Sequence, residues 1–209
     1  MARPSVALVD HGAGNLHSVK GALEYVGANV TIAQMPSDLS RVTHVVLPGV
    51  GSMATAMLWL NSTGLATAVT RLSKSGSANV LGICLGMQLL ATSGIEGGTS
   101  SGLDLVPGRV RRIKQEGQRK KTPRIGWFDV TPAHHPTDWS SQGLPQCFYF
   151  AHSYEFVCNE PDDTAAWVHD GTKRMTAIVR KRNVVGTQFH PEKSGPVGLA
   201  ILRNFLMVN

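Results

Sequence analysis

The chain has 209 residues, of which 42% are hydrophobic and 16% charged, and 20 basic against 14 acidic residues give a net charge of +6. This composition excludes a mostly disordered chain, and no apolar run approaches the ~20 residues that a membrane-spanning helix needs. Three cysteines are too few for a disulfide framework. We therefore expect a reducing, cytoplasmic location, with no secretory signal and no membrane partner.

The first hundred residues alternate between strand and helix patterns. Short apolar runs predict strands at residues 5–9, 29–33, 43–47 and 79–83. Apolar residues at helical spacing predict helices near residues 16–26, 53–60, 64–75 and 85–91. Strand–helix alternation of this kind predicts a mostly parallel central sheet with helices on both faces.

The second half of the chain is mostly strand-like. The predicted strands are residues 106–113, 124–131, 147–150, 165–169, 176–180 and 184–188, and a closing amphipathic helix covers 196–208. We expect these strands to form an antiparallel extension of the main sheet, with 132–145 as the longest loop. Because no linker or repeat is visible, the sequence predicts one α/β domain over residues 1–209.

A candidate nucleophile lies in the segment Gly82-Ile-Cys84-Leu-Gly86, between an apolar strand and an apolar helix. The spacing has the form of a nucleophile elbow, in which small neighbours allow a sharp turn that exposes the thiol. The start of the following helix would favour the thiolate, and the Leu85 N–H could donate to an oxyanion. On this segment alone, a buried structural thiol is an equally good interpretation.

A base and an orienting acid are offered by Gln188-Phe-His190-Pro-Glu192, which follows another apolar run. In a strand-like segment, residues two apart project to the same side, so Glu192 could hold one ring nitrogen while His190 faces Cys84. Taken alone, this segment more often means a strand-terminal histidine with a surface glutamate.

A third motif, Pro48-Gly-Val50-Gly51, follows a predicted buried strand. Glycine-rich turns at the carboxyl end of a parallel strand lie on the edge where ligands bind, and their N–H groups can stabilise an oxyanion. An ordinary strand-to-helix turn explains this segment equally well.

Together these motifs resemble the class I (triad) glutamine amidotransferase family, and the resemblance spans nearly the whole chain. It implies a flavodoxin-like α/β fold. Four segments narrow the resemblance to one branch, the glutaminase subunits of imidazole glycerol phosphate synthase. They are Asp10-His-Gly-Ala-Gly-Asn15, Pro48-Gly-Val-Gly51, Tyr149-Phe-Ala-His-Ser-Tyr154 and Phe189-His-Pro-Glu-Lys-Ser-Gly195.

The resemblance implies that Cys84 attacks the carboxamide of glutamine and that water hydrolyses the resulting thioester to glutamate. It implies that His190 moves the proton and that Glu192 orients His190. The oxyanion hole would be formed by Val50, Gly51 and Leu85. The residues implied in substrate binding are Gln88, Glu96, His152, Ser153 and Tyr154.

The resemblance also implies a heterodimer with a (β/α)8-barrel cyclase, which uses the ammonia in histidine biosynthesis to make imidazole glycerol phosphate and an aminoimidazole carboxamide ribotide. The implied partner contacts are Asn15, Trp127, Tyr149 and Lys181. Phe128 stands where the family commonly has Asn, and it cannot supply the hydrogen bonds of an amide. No cofactor or metal is implied.

Other functions remain open at this point. An amidotransferase subunit for chorismate or a pyridoxal precursor would have the same triad, and a thiol hydrolase could use the same elbow. Residues 109–124 contain eight basic residues and one acid, which would suit a non-catalytic nucleic-acid-binding module. A solvated hairpin face explains that stretch better, so we expect no nucleic-acid partner.

Overall fold

The computed structural model describes residues 3–12, 15–96, 98–114, 122–133, 146–170 and 173–207, apart from the side chains of residues 170 and 173. Strands and helices alternate in the first half, as the sequence predicts. The strands are β1 (Ser5–Val9), β2 (Asn29–Ala33), β3 (His44–Leu47) and β4 (Asn79–Ile83). The helices are α1 (Leu16–Tyr25), α2 (Met53–Ser62), α3 (Leu65–Lys74) and α4 (Leu85–Leu89), with a 3-10 turn at Pro36–Leu39.

The second half is mostly β-strand. Its strands are β5 (Ser93–Gly94), β6 (Ser100–Ser101), β7 (Gly108–Arg112), β8 (Arg124–Pro132), β9 (Gln146–His152), β10 (Tyr154–Cys158), β11 (Thr164–Asp170), β12 (Lys173–Lys181) and β13 (Val184–Thr187). A 3-10 turn at Pro161–Asp163 precedes β11, and another at Pro191–Lys193 precedes the closing helix α5 (Gly195–Met207). Most of the predicted loop at 132–145 lies outside the described residues.

Among the described residues, the main sheet has nine strands in the order β2-β1-β3-β4-β13-β12-β11-β8-β9. The first five are parallel to one another. The other four continue the sheet in antiparallel fashion. The predicted α/β class, with a mostly parallel sheet and an antiparallel extension, is therefore confirmed. The carboxyl ends of β1, β3, β4 and β13 meet at one edge, where ligands bind in such sheets.

A second sheet, in the order β10-β7-β5-β6, was not predicted. The sequence patterns wrongly assign residues 106–113 to the main sheet. Instead, β7 pairs antiparallel with β10, which sets Val110 opposite Phe156 on a buried face. The two strands are far apart in sequence, and a local pattern does not contain the partner of a non-local strand pair.

Both faces of the parallel strands are covered by helices. Along β1, Val9 packs in a cluster with α2, α3 and α4, whereas Leu8 packs in a cluster with α1 and α5. Successive side chains of a strand point to opposite faces, so a strand covered on both sides reads as a continuous apolar run. Within the described ranges, no helix is long and apolar enough to cross a membrane.

Candidate active site

Cys84 lies on the sharp turn between β4 and α4, and it is buried. Its φ of 54° and ψ of −102° are strained for any residue other than glycine, at a cost on the order of 1–3 kcal/mol. Its N–H donates to the Thr187 carbonyl at 2.7 Å. The neighbouring strand β13 therefore holds the turn that carries the thiol.

Two glycines allow this turn because other backbone segments pass directly against them. A Cβ at Gly86 would overlap the carbonyl of Leu47, and a Cβ at Gly82 would overlap the carbonyl of Gly86. Helix α4 consequently packs in backbone contact with the ends of β3 and β4. This is the physical reason for small residues on both sides of Cys84.

His190 lies at the same edge, because β13 is the neighbour of β4. Its Nδ1 is 2.8 Å from Oε1 of Glu192, and the two side chains are 4% and 2% exposed. The strand-like backbone expected here is wrong, because Glu192 belongs to the 3-10 turn Pro191–Lys193. The turn brings the carboxylate back to the ring, so the expected pair is formed by a different backbone shape.

The pKa of His190 is raised to about 9. Burial lowers this pKa, but hydrogen bonds and charge interactions with Cys84 and Glu192 outweigh the burial. The imidazole is therefore protonated at neutral pH. A protonated imidazole beside the sulfur is placed to donate its proton to a leaving group.

Gln188 is a site residue for which the sequence motifs predict no role. Its side-chain N–H lies 3.7 Å from the Cys84 sulfur, and its side-chain oxygen accepts a 3.2 Å hydrogen bond from Gln88. The carbonyl of Ala151 lies 3.8 Å from the same sulfur. The available signal was a polar side chain between the apolar run of β13 and His190.

The predicted oxyanion donors are not all accessible. The Leu85 N–H donates a long 3.4 Å hydrogen bond to the carbonyl of Gly49. The Gly49 carbonyl and the Val50 N–H belong to one planar trans peptide and point in opposite directions. One rotation of that peptide would therefore uncover the Leu85 N–H and turn the Val50 N–H toward it.

A cavity of about 180 Å³ lies against Cys84. It is lined by every residue predicted for the oxyanion hole or for substrate binding, which are Val50, Gly51, Leu85, Gln88, Glu96, His152, Ser153 and Tyr154. Pro123 and Ala151 complete the wall. In the described part of the chain, no three side chains of His, Cys, Asp or Glu come together as a metal site.

Two polar side chains on this wall differ in charge. Glu96 accepts a 2.9 Å hydrogen bond from the Met53 N–H at the start of α2. His152 donates from Nδ1 to the Tyr154 carbonyl at 2.7 Å, and burial lowers its pKa to about 4, with the positive charges of Arg124 and His190 adding to the effect. His152 is therefore neutral, and its buried Nε2 is an acceptor with no partner among the described residues.

Three of the four predicted partner contacts lie on the side of the sheet that carries the cavity. Trp127 and Tyr149 face each other across β8 and β9, with ring centroids 6.0 Å apart. The Tyr149 ring centroid is 6.4 Å from that of His190. Asn15 follows the carboxyl end of β1 and caps α1 through the Ser18 N–H.

Lys181 does not join them, and this expectation is corrected. It ends β12 opposite Val184, which pairs with Val80 near the start of β4, at the other end of the sheet. At about 3.3 Å per residue, the position lies roughly 13 Å along the strands from Cys84. The lysine nearest the other three is Lys193, which directly follows the triad glutamate and lies 5.8 Å from the Tyr149 ring centroid.

Phe128 has a packing role in place of the amide chemistry that Asn would supply. The guanidinium of Arg124 stacks on its ring at 3.7 Å from the centroid. Arg124 is 6% exposed, so this is a cation–π contact in a mostly water-free environment. Phe128 thus covers a buried positive charge on the residue that pairs with His152 in the sheet.

Comparisons with known proteins agree with this geometry. The family model for class-I glutamine amidotransferases matches residues 7–209. The imidazole glycerol phosphate synthase subunit HisH of Gloeobacter violaceus is 44% identical, over 99% of this chain and 91% of that protein. The HisH subunit of Chlorobaculum tepidum is 38% identical, over 96% of this chain and 98% of that protein.

Two solved structures have the same fold at low sequence identity. One, described as a glutamine amidotransferase, has a TM-score of 0.76 and 19% identity, over 96% of each chain. The other, PurLQS from Thermotoga maritima, has a TM-score of 0.75 and 17% identity, over 98% of each chain. The match over residues 7–209 and the two HisH relatives place the chain in the class-I glutamine amidotransferase family.

Proposed function

We propose that this chain is the glutaminase subunit of an imidazole glycerol phosphate synthase. It hydrolyses glutamine and supplies the ammonia to a cyclase subunit. The observation that carries the proposal is the buried group of Cys84, His190 and Glu192 beside a cavity with a matching set of polar residues. Relatives named HisH, 36–44% identical over nearly the whole chain, support this branch of the family.

In the proposed first step, the Cys84 thiolate attacks the side-chain carbonyl carbon of glutamine and a carbon–sulfur bond forms. His190 holds a proton at neutral pH because its pKa is about 9. It donates that proton to the amide nitrogen as the carbon–nitrogen bond breaks and ammonia leaves. The products of this step are ammonia and a glutamyl thioester on Cys84.

In the second step, water attacks the thioester. His190, now neutral, accepts a proton from that water, and glutamate leaves as the carbon–sulfur bond breaks. This restores the thiolate and the protonated imidazole. The hydrogen bond from Nδ1 to Glu192 leaves Nε2 as the nitrogen that exchanges the proton in both steps.

The oxyanion that forms in each step needs N–H donors, and in the resting site the Leu85 N–H is covered. Because the Gly49 carbonyl accepts a hydrogen bond from the Leu85 N–H, a substrate oxygen at this position would face a carbonyl oxygen instead of a donor. Rotation of the Gly49–Val50 peptide would present two N–H groups, from Val50 and Leu85. We therefore expect the isolated subunit to hydrolyse glutamine slowly and a bound partner to favour the rotated loop.

The amino-acid end of glutamine would bind to the polar residues that line the cavity. Glu96 supplies a negative charge that would attract the ammonium group of the substrate. Gln88 and residues 152–154 offer amide and backbone groups for the remaining hydrogen bonds. The neutral His152 keeps a second positive charge away from the ammonium group.

The proposed partner face surrounds this cavity and includes Asn15, Trp127, Tyr149 and Lys193. Val50 and Trp127 are 45% and 55% exposed, and large apolar side chains exposed around a cavity mark an interaction surface. A (β/α)8-barrel cyclase docked on this face would keep water away from the ammonia. Ammonia released into neutral water would be protonated and lost as a nucleophile.

An amidotransferase subunit for chorismate or a pyridoxal precursor would use the same three catalytic residues. The docking face, and not the triad, would differ. The HisH names of the relatives favour the cyclase partner over these acceptors.

Activity of the complex with the cyclase tests the proposal. Cys84→Ala should reduce glutamate release by about 1,000-fold or more, while added ammonia still supports formation of imidazole glycerol phosphate. Cys147→Ala, which removes an exposed free thiol, is the matched control and should retain both activities. Glutamine hydrolysis that survives Cys84→Ala would contradict the mechanism, and failure to bind the cyclase would favour another acceptor.

A further inference from the structure

We propose that His11 is a positioning residue that holds the glycine-rich loop, residues 48–51, with the Gly49 carbonyl over the Leu85 N–H. The inference rests on the proposed glutaminase function and assigns the restraint on that activity to one side chain. His11 follows β1 and the loop follows β3. Because these strands are parallel neighbours, both segments lie at the same edge of the sheet.

A buried hydrogen bond joins the His11 ring to the loop. Its Nε2 is 2.8 Å from the carbonyl oxygen of Pro48, which can only accept, so Nε2 carries the proton. His11 is 3% exposed, and water therefore does not compete for the bond. The bond fixes the peptide that immediately precedes Gly49.

The same ring packs against Gly49. A Cβ at Gly49 would lie 2.7 Å from His11 Nε2 and 3.1 Å from the Leu85 Cβ. The loop is thus held between the His11 ring on one side and the first residue of α4 on the other. In this arrangement the Gly49 carbonyl lies on the Leu85 N–H.

The hydrogen bond holds the Pro48–Gly49 peptide and the packing holds Gly49, so both act directly beside the Gly49–Val50 peptide that has to rotate to open the oxyanion hole. Without the Pro48 hydrogen bond, the covered orientation loses a specific stabilisation, and the fraction of chains with an uncovered Leu85 N–H rises. The partner-free rate should then rise. The stimulation by the partner should fall by the same factor, because the partner has less of the equilibrium left to shift.

His11→Phe tests this role, because it keeps a ring of similar size and removes the N–H donor. We expect kcat for glutamate release without the partner to rise about 3- to 10-fold, as expected from the loss of one buried hydrogen bond, with KM for glutamine little changed. His11→Gln keeps an N–H at a similar distance from Cα and should return kcat toward the wild-type value. A role in stability alone would not produce a rise in kcat.

His44→Phe is the matched control. His44 is also 3% exposed, and its Nε2 is 3.1 Å from the Phe205 carbonyl, at the other end of the sheet. This substitution removes the same kind of hydrogen bond away from the loop. It should lower Tm without changing the partner-free rate.

Hydrogen exchange of the Leu85 amide gives a second measurement that needs no activity. It should accelerate in His11→Phe, by about the same factor as kcat, and remain near the wild-type rate in His11→Gln. If His11→Phe does not fold, His11→Asn replaces it, because its shorter side chain does not bring an N–H to Pro48.

Unchanged or slower Leu85 exchange in a folded His11 variant without the N–H, or a fall in its partner-free kcat, would overturn the role of His11. Absence of glutaminase activity in the wild-type complex, together with faster Leu85 exchange in His11→Phe, would instead refute the proposed function and leave the role of His11 supported.

Discussion

His190 is protonated at neutral pH although it is buried, and two neighbours explain why. Burial alone would favour the neutral ring, but the ring lies between the Cys84 sulfur and the Glu192 carboxylate, and the pKa rises to about 9. The same interactions that prepare the proton for the leaving ammonia therefore also stabilise the folded chain. Because of this link, a measurement of folding stability can detect the interaction between His190 and Glu192.

Replacement of Glu192 by Gln tests that link. The pKa of His190 is about 9 in the folded chain and near 6.5 without these interactions, so the stabilisation is complete below about pH 6.5 and is lost as the pH rises through about 9. We expect Glu192→Gln to lower the free energy of unfolding by about 1.5–3 kcal/mol at pH 6 and by clearly less near pH 10.

Urea unfolding at the two pH values measures the difference, and an NMR titration of His190 should show its pKa falling in the variant. Equal losses of stability at both pH values, with an unshifted His190 titration, would show that Glu192 does not hold the imidazolium.

At the scale of the elements, the elbow depends on backbone contacts between α4 and the strand ends. Gly86→Ala should lower the free energy of unfolding by about 3 kcal/mol, because its Cβ would overlap the Leu47 carbonyl. Gly21→Ala is the control, since its Cβ in α1 would meet no atom within 4 Å. That change should raise the free energy of unfolding by about 0.5–1 kcal/mol.

Denaturant titration of both variants gives the comparison. A Gly86→Ala chain as stable as Gly21→Ala would mean that α4 can move away from β3, and that the elbow does not fix Cys84 through this contact.

The elements that the sequence predicts best are those with local signals. Apolar runs and helical spacing correctly indicate β1–β4, the helices between them and α5, because both faces of the parallel strands are buried. The second sheet was missed because β7 and β10 pair across a long stretch of chain. For the same reason, no local sequence pattern predicts the hydrogen bond from the Leu85 N–H to the Gly49 carbonyl.

Except for Glu96, the residues predicted around the cavity belong to short motifs, and the motifs that follow β3 and β4 meet because these strands are neighbours. Lys181 belongs to none of these motifs and lies at the other end of the sheet. Lys193, by contrast, is part of the segment that contains His190 and Glu192. Membership of a site motif was thus a better guide than residue type alone.

At the scale of the whole molecule, the partner face can be separated from the rest of the surface by two lysines. Lys193→Ala should weaken cyclase binding about 5- to 20-fold, because this cation lies beside Tyr149 at the proposed face. Lys181→Ala is the matched control. Its Nζ is paired with Asp163 at 2.8 Å away from that face, and its loss should leave the affinity unchanged.

Titration calorimetry with the cyclase distinguishes the two. A loss of affinity in Lys181→Ala with none in Lys193→Ala would move the interface to the opposite end of the sheet and refute the proposed face.

In the proposed mechanism, the sulfur of Cys84, paired with His190, is the group that breaks the carbon–nitrogen bond of glutamine. Peptide mapping by mass spectrometry, after treatment of the complex with a reactive glutamine analogue, tests it most directly. We expect one covalent adduct, on Cys84, and protection by excess glutamine. An adduct on Cys147 or Cys158, or no adduct in a complex that still releases glutamate from glutamine, would contradict it.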